Sequence, residues 1–162
     1  MTHAITTLFG IGHLRPAPGT WGSLAALPLA YLLHLAGGFW VFFIATILVA
    51  GLGWWATGVE TRDAADHDPS EIVIDEVVGQ WIALWPVSFG AMFADMDMLR
   101  LWPGLLSAFI AFRAFDILKP GPVGWADGLK GPTGVMLDDI IAGWMAALVV
   151  AVLAVFAHLV LV

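Results

Sequence analysis

The residues equipped for chemistry in this chain are carboxylates, and they stand at the ends of apolar stretches. Asp75-Glu76, Asp138-Asp139 and the lone Asp116 each adjoin a segment with few other charges. No Lys, Arg, Asp or Glu occurs from Pro16 to Val59, and none from Ile140 to Val162. A carboxylate at the rim of a membrane segment is costly to desolvate, so it normally has a partner or a task. Clustered carboxylates also repel one another, and a divalent cation relieves both costs. An oxygen-rich ligand set without thiols favours Mg²⁺ or Mn²⁺ over zinc. Arg113 and Lys119 lie three residues either side of Asp116, where both can hold an anion. Acids, a hard metal and cations together suit phosphoryl chemistry, in which the metal offsets charge and activates water.

Each feature has a plainer structural reading. A carboxylate in the first turn of a helix also complements the helix dipole. Arg113 and Lys119 can equally be interfacial anchors whose stems lie in lipid while their heads reach water. Three acidic sites on one face weigh toward chemistry; the two cations stay open between phosphate contact and anchor. His3, His34 and His158 read as incidental, and His13 is undecided.

Composition says what must position these groups. The 162 residues are 60% hydrophobic and 12% charged, with a mean hydropathy of +0.91. Soluble domains are roughly 45–50% apolar, so the chain reads as one integral membrane domain over residues 1–162. A net charge of −7 argues against a nucleic-acid partner, which needs basic surface. The absence of cysteine excludes disulfides, a thiolate nucleophile and Cys-ligated zinc. The first residues lack the basic n-region and cleavage site of a signal peptide.

A helix needs about 20 residues to cross a bilayer, so the run from Pro16 to Val59 is expected to cross, turn and return. Gly37-Gly38 is the natural turn, between spans near Trp21–Ala36 and Phe39–Gly58, with Thr20 as an N-cap. A third span is expected at Val77–Ala94, a fourth near Leu99–Phe115 and a last one from Ile140 to the C-terminus. The third and fourth can alternatively form a re-entrant hairpin. Lys119–Leu137 reads as a Gly/Pro-rich loop. The fold class is therefore all-α, a polytopic bundle of about four to five membrane segments with one polar face. Arg15, Arg62, Arg113, Lys119 and Lys130 share the acidic face and only Arg100 opposes them, which places that face in the cytoplasm. The nine Trp residues are expected at the membrane interfaces.

Four blocks in order carry a family resemblance. Pro18-Gly19-Thr20-Trp21-Gly22-Ser23 resembles the PGTxGS entry of the phosphatidylglycerophosphatase A family. His67-Asp68, followed by Ile72-Val73-Ile74-Asp75-Glu76-Val77-Val78-Gly79, resembles its acidic segment. Phe112-Arg113-Ala114-Phe115-Asp116-Ile117-Leu118-Lys119-Pro120-Gly121-Pro122 resembles its FRxxDxxKPxP stretch. Gly134-Val135-Met136-Leu137-Asp138-Asp139-Ile140-Ile141-Ala142-Gly143 is similar to its closing signature. The resemblance implies a bacterial inner-membrane, Mg²⁺-dependent phosphatase that converts phosphatidylglycerol phosphate to phosphatidylglycerol. It carries over Asp75, Glu76, Asp116, Asp138 and Asp139 as catalytic or metal-binding acids. Arg113, Lys119, Thr20, Ser23 and His67 follow as substrate contacts.

Two other readings compete. Asp127-Gly128 matches the DG element of CDP-alcohol phosphotransferases, but the rest of their Asp-rich pattern is missing. A cation transporter would place polar residues through the spans, whereas here the acids gather at one interface.

Overall fold

The computed structural model describes residues 1–62 and 69–161. Among them all the regular structure is helical, with no strand. A short α1 (Thr2–Thr6) and a 3₁₀ turn (Ile11–His13) precede α2 (Pro18–Glu60), which folds back on itself. Next come α3 (Ile74–Phe93), a second 3₁₀ turn (Met98–Leu101), α4 (Trp102–Leu118), the short α5 (Pro122–Asp127) and α6 (Pro132–Leu161).

The fold-back in α2 falls at Gly37-Gly38, as the sequence implies. Both residues leave helical geometry, and Gly38 takes a positive φ of 68° that a side chain would resist. The two arms then run along α3 in opposite directions. Gly22 and Gly53 lie beside Val73 and Ile74 at the start of α3, and Phe39 meets Phe89 near its end at 5.5 Å between ring centres.

Among the described residues, three helical stretches are long and apolar enough to cross a bilayer: Pro18–Glu60, Met98–Leu118 and Pro132–Leu159. The chain is an all-α membrane protein. The 20 residues of α3 extend about 30 Å, but α3, where a third span was expected at Val77–Ala94, is not one of these stretches. Helix α3 is the centre of the bundle, with Gln80 and Ser88 fully buried in it. It can carry such polar residues because it faces protein, whereas its neighbours present Leu, Ile, Val and Phe outward.

Two tryptophans expected at the interfaces are instead packed inside. Trp81 donates its indole N–H to the Ala26 carbonyl at 2.9 Å, and Trp85 donates to Thr46 Oγ1 at 3.3 Å. One bond reaches each arm of α2, so the buried indoles tie both arms to α3 without leaving a donor unmet. Trp21, Trp40, Trp55, Trp102, Trp125 and Trp144 are exposed, as lipid-facing or interfacial residues should be.

The helix starts differ from expectation. Helix α2 begins at Pro18, with Ala17 as its N-cap and no side-chain cap from Thr20; a proline in the first turn has no N–H to leave unpaired. Helix α6 begins at Pro132, so Asp138-Asp139 lie about two turns inside it and not ahead of it. Helix α5 occupies part of the expected loop.

Helices α3 and α6 cross where Gly79 faces Gly143. A Cβ at Gly143 would strike the Gly79 backbone, and one at Gly79 would come within 2.6 Å of the Asp139 carbonyl oxygen. This close approach brings the first turns of α3 against the segment of α6 that carries Asp139. Gly143→Ala is expected to lower stability by about 1–3 kcal/mol through overpacking and to reduce activity with it. Thermal unfolding in detergent measures the first effect.

Candidate active site

The starts of α2, α3 and α6 and the end of α4 meet around one cavity of about 350 Å³. Seven of the residues marked by the sequence line it: Asp75, Glu76, Arg113, Asp116, Lys119, Asp138 and Asp139. Three helix starts meet one helix end here, and backbone N–H groups at a helix start favour negative charge. That preference helps to hold acidic side chains here, and it equally suits a phosphate group.

The five acids divide into two groups. Asp75, Glu76 and Asp139 each place one oxygen within 4.8 Å of the other two. Asp75 and Asp139 are buried, at 6% and 3% exposure. Glu76 Oε2 and Asp139 Oδ1 are buried without a hydrogen-bond partner. Unmet carboxylate oxygens are costly in a low-dielectric site, and their convergence fits a hard cation with oxygen ligands.

Asp116 and Asp138 are instead engaged by the cations. Arg113 pairs with Asp116 one turn along α4, and its Nη1 also donates to Ser23 Oγ at 3.4 Å. Ser23 is fully buried and donates to the Gly19 carbonyl at 2.8 Å. Its hydroxyl stands behind Arg113, outside the cavity lining. Arg113 Nε is buried with no partner, so the guanidinium keeps a donor in reserve.

Lys119 ends α4 in the left-handed conformation, φ 45° and ψ 52°. Its ammonium bonds to Asp138 Oδ2 at 3.0 Å and to Asp127. Burial alone lowers the pKa of an ammonium, but the bonds to Asp127 and Asp138 outweigh it and raise Lys119 above its ordinary value. Lys119 therefore stays cationic through neutral pH. Asp127 enters the site because α5 folds beside the end of α4; nothing in its local sequence marks it as a partner of Lys119.

Gly19 forms a close wall of the cavity. A Cβ there would collide with the Glu76 carboxylate and lie 3.2 Å from Arg113 Nη1. The glycine lets the α2 backbone approach the acid and the cation together. Thr20, next to it, is not among the lining residues. His67 and Asp68 fall outside the described residues.

Comparison with known proteins supplies the family. The model for phosphatidylglycerophosphatase A matches residues 4–154. The chain belongs to the phosphatidylglycerophosphatase A family. That membership bears out the expectation of a phosphoric monoester hydrolase. A Haemophilus influenzae protein named phosphatidylglycerophosphatase A is 40% identical over 91% of this chain and 85% of its own length. An Escherichia coli protein of the same name is 33% identical over 90% of this chain and 78% of its own. A Bacteroides thetaiotaomicron protein named "Putative phosphatidylinositol-3-phosphatase" is 37% identical over 91% of this chain and 90% of its own. No solved structure matches the chain.

Proposed function

We propose that this chain hydrolyses the terminal phosphomonoester of phosphatidylglycerol phosphate, releasing phosphatidylglycerol and inorganic phosphate, with Mg²⁺ as cofactor. The observation that supports it is one cavity holding a carboxylate trio and two positioned cations, in a chain of this family.

Asp75, Glu76 and Asp139 are the residues to hold Mg²⁺, which supplies charge neutralisation at the phosphoryl oxygens and activation of water. Arg113, fixed by Asp116 and Ser23, directs its remaining donor capacity at the phosphate. Lys119, held by Asp138 and Asp127, adds a second positive charge from the opposite side of Asp116 in the chain. The helix N-termini add backbone dipoles to the same field. Water is the favoured nucleophile over a carboxylate, because all five acids already have work: three face one another and two hold cations. Hydrolysis breaks the bond from phosphorus to the glycerol oxygen; the oxygen of water takes its place on phosphorus, and one proton of that water passes to the leaving glycerol oxygen.

The lipid need not leave the bilayer. Ile117 lines the cavity and is 65% exposed, and Leu118 beside it is 75% exposed. This apolar rim lets acyl chains stay in the hydrocarbon while the headgroup reaches the acids. The bias of basic residues supports a cavity facing the cytoplasm, in the bacterial inner membrane that the family resemblance implies. Single cysteines introduced in 119–131 are expected to react with an impermeant reagent only from the cytoplasmic side.

The relative from Bacteroides thetaiotaomicron gives phosphatidylinositol 3-phosphate as a second candidate substrate. Purified protein in mixed micelles should release phosphate faster from phosphatidylglycerol phosphate than from phosphatidylinositol 3-phosphate. The reverse ranking would replace the substrate while keeping the site.

A further inference from the structure

At the acidic end of the bundle, away from the cavity lining, two histidines ten residues apart on successive elements face each other. His3, on α1, places Nε2 3.3 Å from Nε2 of His13, at the end of the first 3₁₀ turn. Their ring centres are 5.2 Å apart with planes tilted by 36°. The other ring nitrogen of His3, Nδ1, lies 3.2 Å from Glu60 Oε2 at the end of α2. Thr6 Oγ1 donates to the same carboxylate oxygen at 3.1 Å. None of these residues lines the acidic cavity.

We propose that His3 and His13 form a second metal site, for a borderline transition-metal dication such as Zn²⁺. Glu60 sets the chemistry. A carboxylate at Nδ1 favours the tautomer with the proton there, leaving the Nε2 lone pair available. This carboxylate–imidazole arrangement is the usual support for a metal-bound histidine. The separation of the two Nε2 atoms fits the same reading. Two ligands each about 2.0–2.1 Å from a tetrahedral zinc stand about 3.3–3.4 Å apart. That spacing is longer than most protein hydrogen bonds, which lie at about 2.7–3.2 Å.

Imidazole nitrogen selects zinc-like ions over Mg²⁺, so the site differs in ligand class from the carboxylate trio. Both histidines are exposed, which leaves the remaining coordination positions to water. An ion held there links α1, the first 3₁₀ turn and, through Glu60, the end of α2. Thr6 carries this junction to the active site, because its carbonyl accepts from Val73 N–H at 2.8 Å, two residues before Asp75. The site is therefore a clamp on the N-terminal segment. The other described histidines are not part of it: His34 bonds to Ser88, and His158 lies in the last turn of α6.

The test is a calorimetric zinc titration of untagged, full-length protein in detergent, with Asp75→Asn and Asp139→Asn combined to disable the carboxylate trio. One zinc per chain is expected. Binding should be lost on adding His3→Gln or His13→Gln, and weakened about ten- to a hundredfold by Glu60→Gln. X-ray absorption at the zinc edge of the zinc-loaded wild-type protein should show imidazole scattering, whether or not the Asn variant folds. Zinc binding that persists in either histidine variant, or a zinc edge without imidazole scattering, would overturn the site.

Discussion

Asp139→Asn and Asp75→Asn are each expected to lower kcat by at least about a hundredfold, while the folded bundle survives. Both substitutions remove charge at nearly constant shape. Asp139 Oδ1 is buried without a partner, so replacing the carboxylate breaks no hydrogen bond at that oxygen. It also relieves repulsion among three acids that crowd within 4.8 Å. A purely structural role would predict the opposite pattern, with stability falling and turnover following it. A loss of one preorganised electrostatic contact typically costs about a hundred- to a thousandfold in rate. Phosphate release and thermal unfolding, measured on the same preparations, separate the two. Near-normal turnover in both variants at limiting Mg²⁺ would leave these acids a structural role only.

Arg113 is the second position with a large expected effect. Arg113→Met keeps much of the apolar stem and should reduce kcat/KM by at least about tenfold, equivalent to about 1.4 kcal/mol of transition-state stabilisation. Arg113→Lys should also be impaired. A lysine can pair with Asp116, but as a point charge it cannot span Asp116, Ser23 and phosphate as the planar guanidinium can. Lys119→Met should lose a similar factor, and it should release Asp138 as an uncompensated acid beside the trio. Equal protein in the membrane with unchanged kinetics in both Met variants would return Arg113 and Lys119 to the role of interfacial anchors.

Much of this site was legible because charges are conspicuous in so apolar a chain. Seven of the residues picked out from their placement between apolar runs line a single cavity. The turn at Gly37-Gly38 was legible for a related reason: a charge-free run too long for one crossing must break where the backbone is least restricted. The division of labour among the acids was not legible. It depends on the α3–α6 crossing at Gly79 and Gly143, and on α5 bringing Asp127 to Lys119. Both are contacts between elements, which spacing along one helix does not report. Pro132 misled in a specific way. Gly131-Pro132 reads as loop, yet the proline opens α6 and draws Asp138-Asp139 inside the helix. Ser23 shows the same limit on a smaller scale. Its motif marks it as a phosphate contact, whereas its hydroxyl is turned to Gly19 and Arg113. The pairing of His3 with His13 was hidden because neither residue sits on a periodic face that would suggest the other.

The most direct test of the carboxylate trio as the Mg²⁺-dependent catalytic centre is phosphate release from phosphatidylglycerol phosphate across a Mg²⁺ titration. Wild-type protein and the Asp139→Asn variant are to be run side by side in mixed micelles, each also in excess EDTA. The account predicts saturable activation of the wild-type protein by Mg²⁺, no turnover in EDTA, and little activation of Asp139→Asn at any concentration. Wild-type turnover undiminished in EDTA, or a variant activated as fully as the wild type, would contradict it.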